Sequence, residues 1–198
     1  MSTPSPSKER FYDAYDGVPP WEVGRPQPAL VALIDEVGVK GSALDVGCGT
    51  GEHALYLASR GVSAWGLDAA PRAIEIARDK AKERGLNATF VVGDALDLGA
   101  LGRSFDAIID SGLFHLFTEE EREAYVDSVA DALTPGGDLL LLGFSDEEPE
   151  RGPRGFDEKT ARELLSRRFD IVSLRPARFA SRRHDEGALA WQVHARKR

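Results

Sequence analysis

Ala43 to Glu52 reads Ala-Leu-Asp-Val-Gly-Cys-Gly-Thr-Gly-Glu, and this stretch decides the fold. The apolar run from Ser42 to Val46 predicts a buried strand. It empties into a turn with glycine at every second position, Gly47, Gly49 and Gly51, and a helix is expected from about Glu52. Glycines let the backbone take positive φ and let a ligand approach without Cβ atoms in the way. Strand, glycine turn and helix together open a series of alternating strand and helix patterns that reaches almost to the C-terminus.

The spacing selects the ligand. A dinucleotide fingerprint needs G-x-G-x-x-G, which from Gly47 would place glycine or alanine at position 52, where Glu52 stands. The chain has D-x-G-x-G-x-G instead, with Asp45 two residues ahead of the first glycine. A carboxylate there is poorly placed to cradle a pyrophosphate and suits a cationic or amino-bearing ligand. This pattern resembles motif I of the class I S-adenosylmethionine-dependent methyltransferases.

Outward from the turn, Val62 to Asp68 predicts a second strand ending in an acid 23 residues after Asp45. A carboxylate at such a strand end can accept both ribose hydroxyls of an adenosine, a device that nicotinamide enzymes share. A helix N-cap is the other role open to Asp68. Ala88 to Val92 is a third strand, followed by Gly93-Asp94-Ala95. By the resemblance, Asp94 reads the adenine amino group and the backbone N–H of Ala95 meets a ring nitrogen; an Asx-turn acid is the competing reading. Phe105 to Asp110 is a fourth strand, and Asp110 to Phe117 should border the transfer site, with Asp110 among the cofactor contacts. Neither the Asp/Asn-Pro-Pro-aromatic tetrad of nucleic-acid amino-methyltransferases nor the Pro-Cys of cytosine C5 enzymes occurs there.

On the other side, Trp21 to Pro28 reads Trp-Glu-Val-Gly-Arg-Pro-Gln-Pro and resembles the N-terminal cover of small-molecule methyltransferases of the thiol, halide and thiopurine group. The resemblance puts Trp21 near the sulfonium of the cofactor, with Gly24 and Arg25 close by, and turns Tyr12 and Tyr15 towards the pocket. The tyrosines serve equally well as anchors of a cover segment. His53, in the first turn of the helix after the glycines, fits either the methionine carboxylate or a packing role. His115 fits a general base, given an ordinary imidazole pKa of about 6.5, or a histidine packed among Leu113, Phe114 and Phe117.

The remaining elements are helices after Pro28, over Arg72 to Arg84, Glu119 to Leu133 and Asp157 to Arg167, and strands over Asp138 to Phe144, Phe169 to Leu174 and Ala188 to Ala195. Arg175, Arg178, Arg182, Arg183 and His184 are read as a basic loop, and Ser145 to Gly155 as a polar loop lining the acceptor pocket. The implied fold is α/β, a Rossmann-like three-layer αβα sandwich with a seven-stranded, mostly parallel sheet and an antiparallel last strand. One methyltransferase domain is expected over 11–198, with 11–28 as its cover and 1–10, rich in proline and serine, as a flexible tail.

Composition narrows the partners. The chain of 198 residues carries a net charge of -8, which disfavours binding to nucleic acid or anionic membrane. The acid is uneven: residues 1–150 carry -15 and residues 151–198 carry +7. With one cysteine, Cys48, there is no internal disulfide or cysteine-rich metal site, and a cytoplasmic location is expected. The combined expectation is methyl transfer from S-adenosylmethionine to a small, aromatic or heterocyclic acceptor by a monomer or homodimer, with Tyr15 and His115 as candidate catalytic residues and no metal. A catalytically silent adenosylmethionine-binding scaffold and a nicotinamide-dependent oxidoreductase are the alternatives.

Overall fold

A computed structural model describes residues 14–148 and 155–198, apart from the side chains of residues 184 and 185. The tail, Tyr12 and most of the Ser145–Gly155 loop therefore lie outside the described residues. The strands β1 (Ser42–Val46), β2 (Ser63–Asp68), β3 (Ala88–Val92), β4 (Phe105–Ser111), β5 (Leu133–Phe144), β6 (Phe169–Ser181) and β7 (His184–Lys197) form one sheet in the order β3-β2-β1-β4-β5-β7-β6. Strands β1 to β5 run parallel, and β7 is antiparallel to both β5 and β6. The expected antiparallel last strand is thus present, wedged between its two neighbours.

The helices are α1 (Pro28–Val37), α2 (Glu52–Ser59), α3 (Pro71–Glu83), α4 (Glu119–Ala132) and α5 (Glu158–Leu165). Strand side chains alternate between the two faces, so a strand covered on both sides reads as a continuous apolar run. Leu44, Ile108, Leu139 and Leu141 pack with Tyr125, Val126 and Val129 of α4 and Leu165 of α5. Their neighbours Ala43, Ile109, Leu140 and Leu142 turn to the opposite face and meet Leu30, Leu33 and Ile34 of α1, Leu55 of α2 and Ile74 of α3. Two cores result, one on each side of a sheet whose centre is sealed from water.

Local chemistry fixes the helix ends. Pro28 opens α1, and Gly38 closes it in the left-handed region, with its N–H on Ile34 O at 2.9 Å. Thr118 and Glu121 form a reciprocal capping box at the start of α4. The chain order reverses between β1 and β4, and the crevice outside the strand C-termini at such a switch point is where open α/β sheets bind ligands.

The C-terminal reading needs correction. Most of the basic segment read as a loop is strand: β6 runs through Arg175 and Arg178 to Ser181, β7 starts at His184, and only Arg182 and Arg183 form the turn between them. Arg175 is bound to Glu36 and to Gln192, and Arg178 donates to Gly187 O at 3.1 Å. The tip of this long hairpin reaches the N-terminal segment through Arg182 N–H on Pro20 O at 2.9 Å, and Ala180 just before it bonds Gln27.

Candidate active site

The glycine turn is held by its neighbours. Cys48 N–H bonds Leu67 O at 2.9 Å, extending the β1–β2 pairing by one residue, and Gly49 N–H bonds Asp68 Oδ2 at 2.8 Å. Gly51 has φ 85°, and a Cβ there would lie 2.7 Å from Phe90 and 3.0 Å from Ala77, so this position admits only glycine. A Cβ on Gly49 would lie 2.9 Å from the Tyr15 hydroxyl. Tyr15 is therefore laid directly on the turn.

Asp45, fully buried at the end of β1, accepts from Ala54 N–H at 3.2 Å through Oδ2, while its Oδ1 has no partner among the described residues. Burial raises its pKa well above the carboxylate range; the Ala54 N–H works against this, and the nearby Asp68 and Asp110 add to it. Asp68 accepts from Gly49 and Ala70 N–H groups, both at 2.8 Å, one on each oxygen. Each oxygen retains a second acceptor position, which a pair of ribose hydroxyls would fill. Burial raises Asp68 as well, partly offset by its backbone donors. A buried carboxylate with an orphaned oxygen, crowded by two further acids, is costly by itself. It fits a ligand that brings positive charge and N–H donors, as the ammonium and sulfonium of S-adenosylmethionine would.

Asp94 is exposed and caps the 3-10 turn Ala95–Leu101, accepting from Leu96 N–H at 3.0 Å, while Ala95 is buried. The Asx-type role is thus realised in the structure. Asp110 is held by its neighbours. It is fully buried and accepts from Leu113 N–H at 2.8 Å, Phe114 N–H at 3.0 Å and Tyr125 Oη at 2.7 Å. Its carboxylate, pushed up to about 6 by burial against the pull of these donors, pins the segment from 110 to 116.

His115 sits on that pinned segment, buried, stacked on Phe144 at 4.5 Å and edge-on to Phe179 at 6.3 Å. Its Nδ1 accepts the Phe144 N–H at 3.1 Å. A neutral imidazole that accepts at Nδ1 carries its proton on Nε2, so that nitrogen is a donor. Burial, helped by Arg122, pushes its pKa down to about 3. The general-base reading of His115 therefore conflicts with both its tautomer and its basicity. Tyr15 is also no base: burial, then Asp68, holds its phenol protonated far above the usual range.

The N-terminal segment covers this site as an irregular strap. Trp21 Nε1–H donates to the Tyr15 hydroxyl at 3.2 Å, and the rings meet edge to face at 6.3 Å. Gly24 N–H binds Glu22 Oε1 at 3.0 Å, while Arg25 lies exposed on an open cleft of about 550 Å³ that Val18, Val23 and Arg182 also line. His53, read as a possible partner of the methionine carboxylate, instead accepts Gln27 N–H at 2.9 Å through Nε2. Burial drops it to about 4, against a small opposing effect of Glu52. Gln27 in turn pairs both its amide atoms with the backbone of Ala180, at 2.8 and 2.7 Å.

Sequence reasoning missed the polar network behind the strap: Glu22, Thr50, Glu52, Lys80 and Arg84. The one available signal was Lys80 and Arg84 at i,i+4 on α3, a pair that lines up on one helix face. No group of histidine, cysteine or acidic side chains able to hold a metal occurs among the described residues. None of the described helices is long and apolar enough to cross a membrane.

Comparison with known proteins agrees with this geometry. Residues 43–137 match the family model described as "Methyltransferase domain". A 2-heptyl-1-hydroxyquinolin-4(1H)-one methyltransferase of Mycobacteroides abscessus is 43% identical over 164 residues, covering 81% of this chain and 72% of the relative. A solved structure from work on the conversion of a disulfide bond into a thioacetal group during echinomycin biosynthesis superposes with a TM-score of 0.86 at 34% identity, over 96% of this chain and 91% of the other. The N-methyltransferase NodS of Bradyrhizobium japonicum WM9, solved with S-adenosyl-L-homocysteine, shares the fold at 20% identity and a TM-score of 0.79, over 98% and 99% of the two chains. The match to the M. abscessus enzyme, spanning the glycine turn and both carboxylate-bearing strands that follow it, places this chain in the family of S-adenosylmethionine-dependent methyltransferases.

Proposed function

We infer that this enzyme methylates a small aromatic or heterocyclic acceptor, with residues 11–198 acting as one domain and 11–28 as its cover. The observation that carries this reading is a pair of aromatic groups at the carboxyl end of the sheet: Tyr15 lies on the glycine turn with Trp21 against it, and His115 stacks on Phe144 and meets Phe179 edge-on. Flat rings framed by a few polar tips suit a flat, largely apolar acceptor. The acceptor named for the 43%-identical relative, a hydroxylated quinolone, is a molecule of that kind.

When bound, S-adenosylmethionine supplies a methyl group already activated by the adjacent sulfonium. The chain's own residues hold and orient. In this reading Asp45 meets the ammonium side, Asp68 takes the ribose hydroxyls, and Asp94 with Ala95 reads the adenine; Gly47, Gly49 and Gly51 allow the close approach. Asp110 and Tyr125 fix the turn that carries His115. The Nε2–H of His115 then donates to an acceptor oxygen and orients the nucleophilic lone pair, with the acceptor's proton leaving to solvent. Tyr15 and Trp21 exclude water above the reacting atoms. Orientation and desolvation of this kind are worth up to about 7–11 kcal/mol in favourable cases.

The test is incubation with methyl-labelled S-adenosylmethionine and a panel of N-hydroxyquinolones, phenols and aromatic thiols. Label should pass to at least one aromatic acceptor. Binding of the cofactor with no transfer to any of them would favour a silent adenosylmethionine-binding scaffold.

A further inference from the structure

We propose that Lys80 is a positioning residue: through Thr50 and Glu22 it latches the strap onto the glycine turn, setting how Tyr15 and Trp21 lie over Gly49 and how fast bound cofactor leaves. The proposal rests on the reading of that turn as the cofactor site. Its basis is an ordered chain of donors. Lys80 Nζ donates to Thr50 Oγ1 at 2.6 Å and to Glu52 Oε1 at 2.8 Å. The single hydroxyl proton of Thr50 then goes to Glu22 Oε2. Glu22 Oε1 takes the Gly24 N–H and lies 3.6 Å from Lys80 Nζ. With Lys80 donating to its oxygen, Thr50 has one proton and one acceptor for it, and the chain ends on the strap.

The placement of these residues gives the chain its consequence. Thr50 stands between Gly49 and Gly51, and Glu22 follows Trp21. The latch therefore joins α3, the glycine turn and the aromatic part of the strap. Thr50 is 5% exposed, and the Lys80 and Glu22 side chains are 21% and 18% exposed, so the bonds are shielded but still within reach of salt. The far end of the strap is anchored separately, by Gln27 on His53 and Ala180. Losing the latch should loosen residues 21–24, between the Arg182 N–H on Pro20 O and the Gln27 anchor, while leaving both of those in place. Glu52 does not become an unpaired buried charge when Lys80 is removed, because Arg84 holds both its oxygens, at 2.9 and 2.8 Å. The fold should survive the substitution.

The experiment compares the full-length wild type with Lys80→Met, Glu22→Gln, the double variant and Lys80→Arg, and has two arms. Without ligand, hydrogen exchange read by mass spectrometry over residues 18–26 should be at least tenfold faster in Lys80→Met and near wild type in Lys80→Arg. With S-adenosyl-L-homocysteine as probe, stopped-flow release should be about five- to twentyfold faster in either single variant and no faster still in the double, with thermal midpoints nearly unchanged. Wild-type release should also speed up in 0.5 M salt, and that of Lys80→Met should not. Unchanged exchange over 18–26, or changes in release that merely track the thermal midpoint, would overturn the proposal. Faster exchange in a protein that does not bind S-adenosyl-L-homocysteine would sustain the latch and overturn the cofactor site.

Discussion

His115 shows how one backbone hydrogen bond sets a side chain's chemistry. Because Nδ1 takes the Phe144 N–H and burial holds the ring neutral down to about pH 3, the imidazole works as a donor throughout the physiological range. This has a consequence for stability. In the unfolded chain His115 protonates near its ordinary 6.5, whereas in the folded chain it does so near 3, so between these values the unfolded state holds the extra proton. Its contribution is complete above pH 6.5 and is lost as pH falls, by at most about 1.4 kcal/mol per pH unit. His115→Gln should therefore flatten the fall in stability between pH 6 and pH 4, as measured by urea unfolding at intervals of one unit; parallel curves for the two proteins would contradict the assignment. Asp110 gives a second prediction. Removing its hydroxyl donor with Tyr125→Phe should cost about 1.5–3 kcal/mol, as for other bonds to charged groups, and lower turnover while affinity for S-adenosyl-L-homocysteine stays nearly unchanged. A large loss of affinity instead would return Asp110 to the cofactor contacts.

Among the elements, the strap depends most on contacts distant in sequence. Gln27, 3% exposed, ties it to the β6–β7 hairpin through two amide bonds and to α2 through His53. Gln27→Ala should destabilise the protein by about 2–3 kcal/mol, because two backbone groups of Ala180 lose their partner, and should weaken cofactor binding; chemical unfolding and calorimetric titration read the two effects. The sequence made β1 to β4 legible because each is a short apolar run bounded by glycine, proline or an acid, but β5 only from Asp138, whereas the strand begins at Leu133, the expected end of a helix. It left β6 and β7 too short because Arg175 to Arg183 read as polar loop. There the strand is set by pairing, with Arg175 opposite Gln192 and Arg178 opposite Leu189, while the arginines point to acids and carbonyls on other elements. At the candidate site, the spacing to the glycines made the placement of Asp45 and Asp68 late in β1 and β2 legible. The bond from Tyr125 to Asp110 was not legible, because Tyr125 lies on a helix packed against the strand and such pairings leave no mark on local spacing.

In the molecule as a whole, burial and binding compete at the switch point of the sheet. The two cores seal the strands on both faces, and the ends of β1 and β4 carry the fully buried Asp45 and Asp110 while the end of β2 carries the half-buried Asp68. Asp110 is fully paired there and Asp45 is not, so under the proposed reading the site should favour a cationic, amino-bearing nucleoside over a pyrophosphate. Calorimetric titration of wild type and Asp68→Ala with S-adenosylmethionine, and of wild type with NAD, tests this most directly. The account predicts one S-adenosylmethionine per chain, at least tenfold weaker binding in the correctly folded variant, and no binding of NAD. Binding of NAD, or an affinity for S-adenosylmethionine untouched by the loss of Asp68, would contradict it.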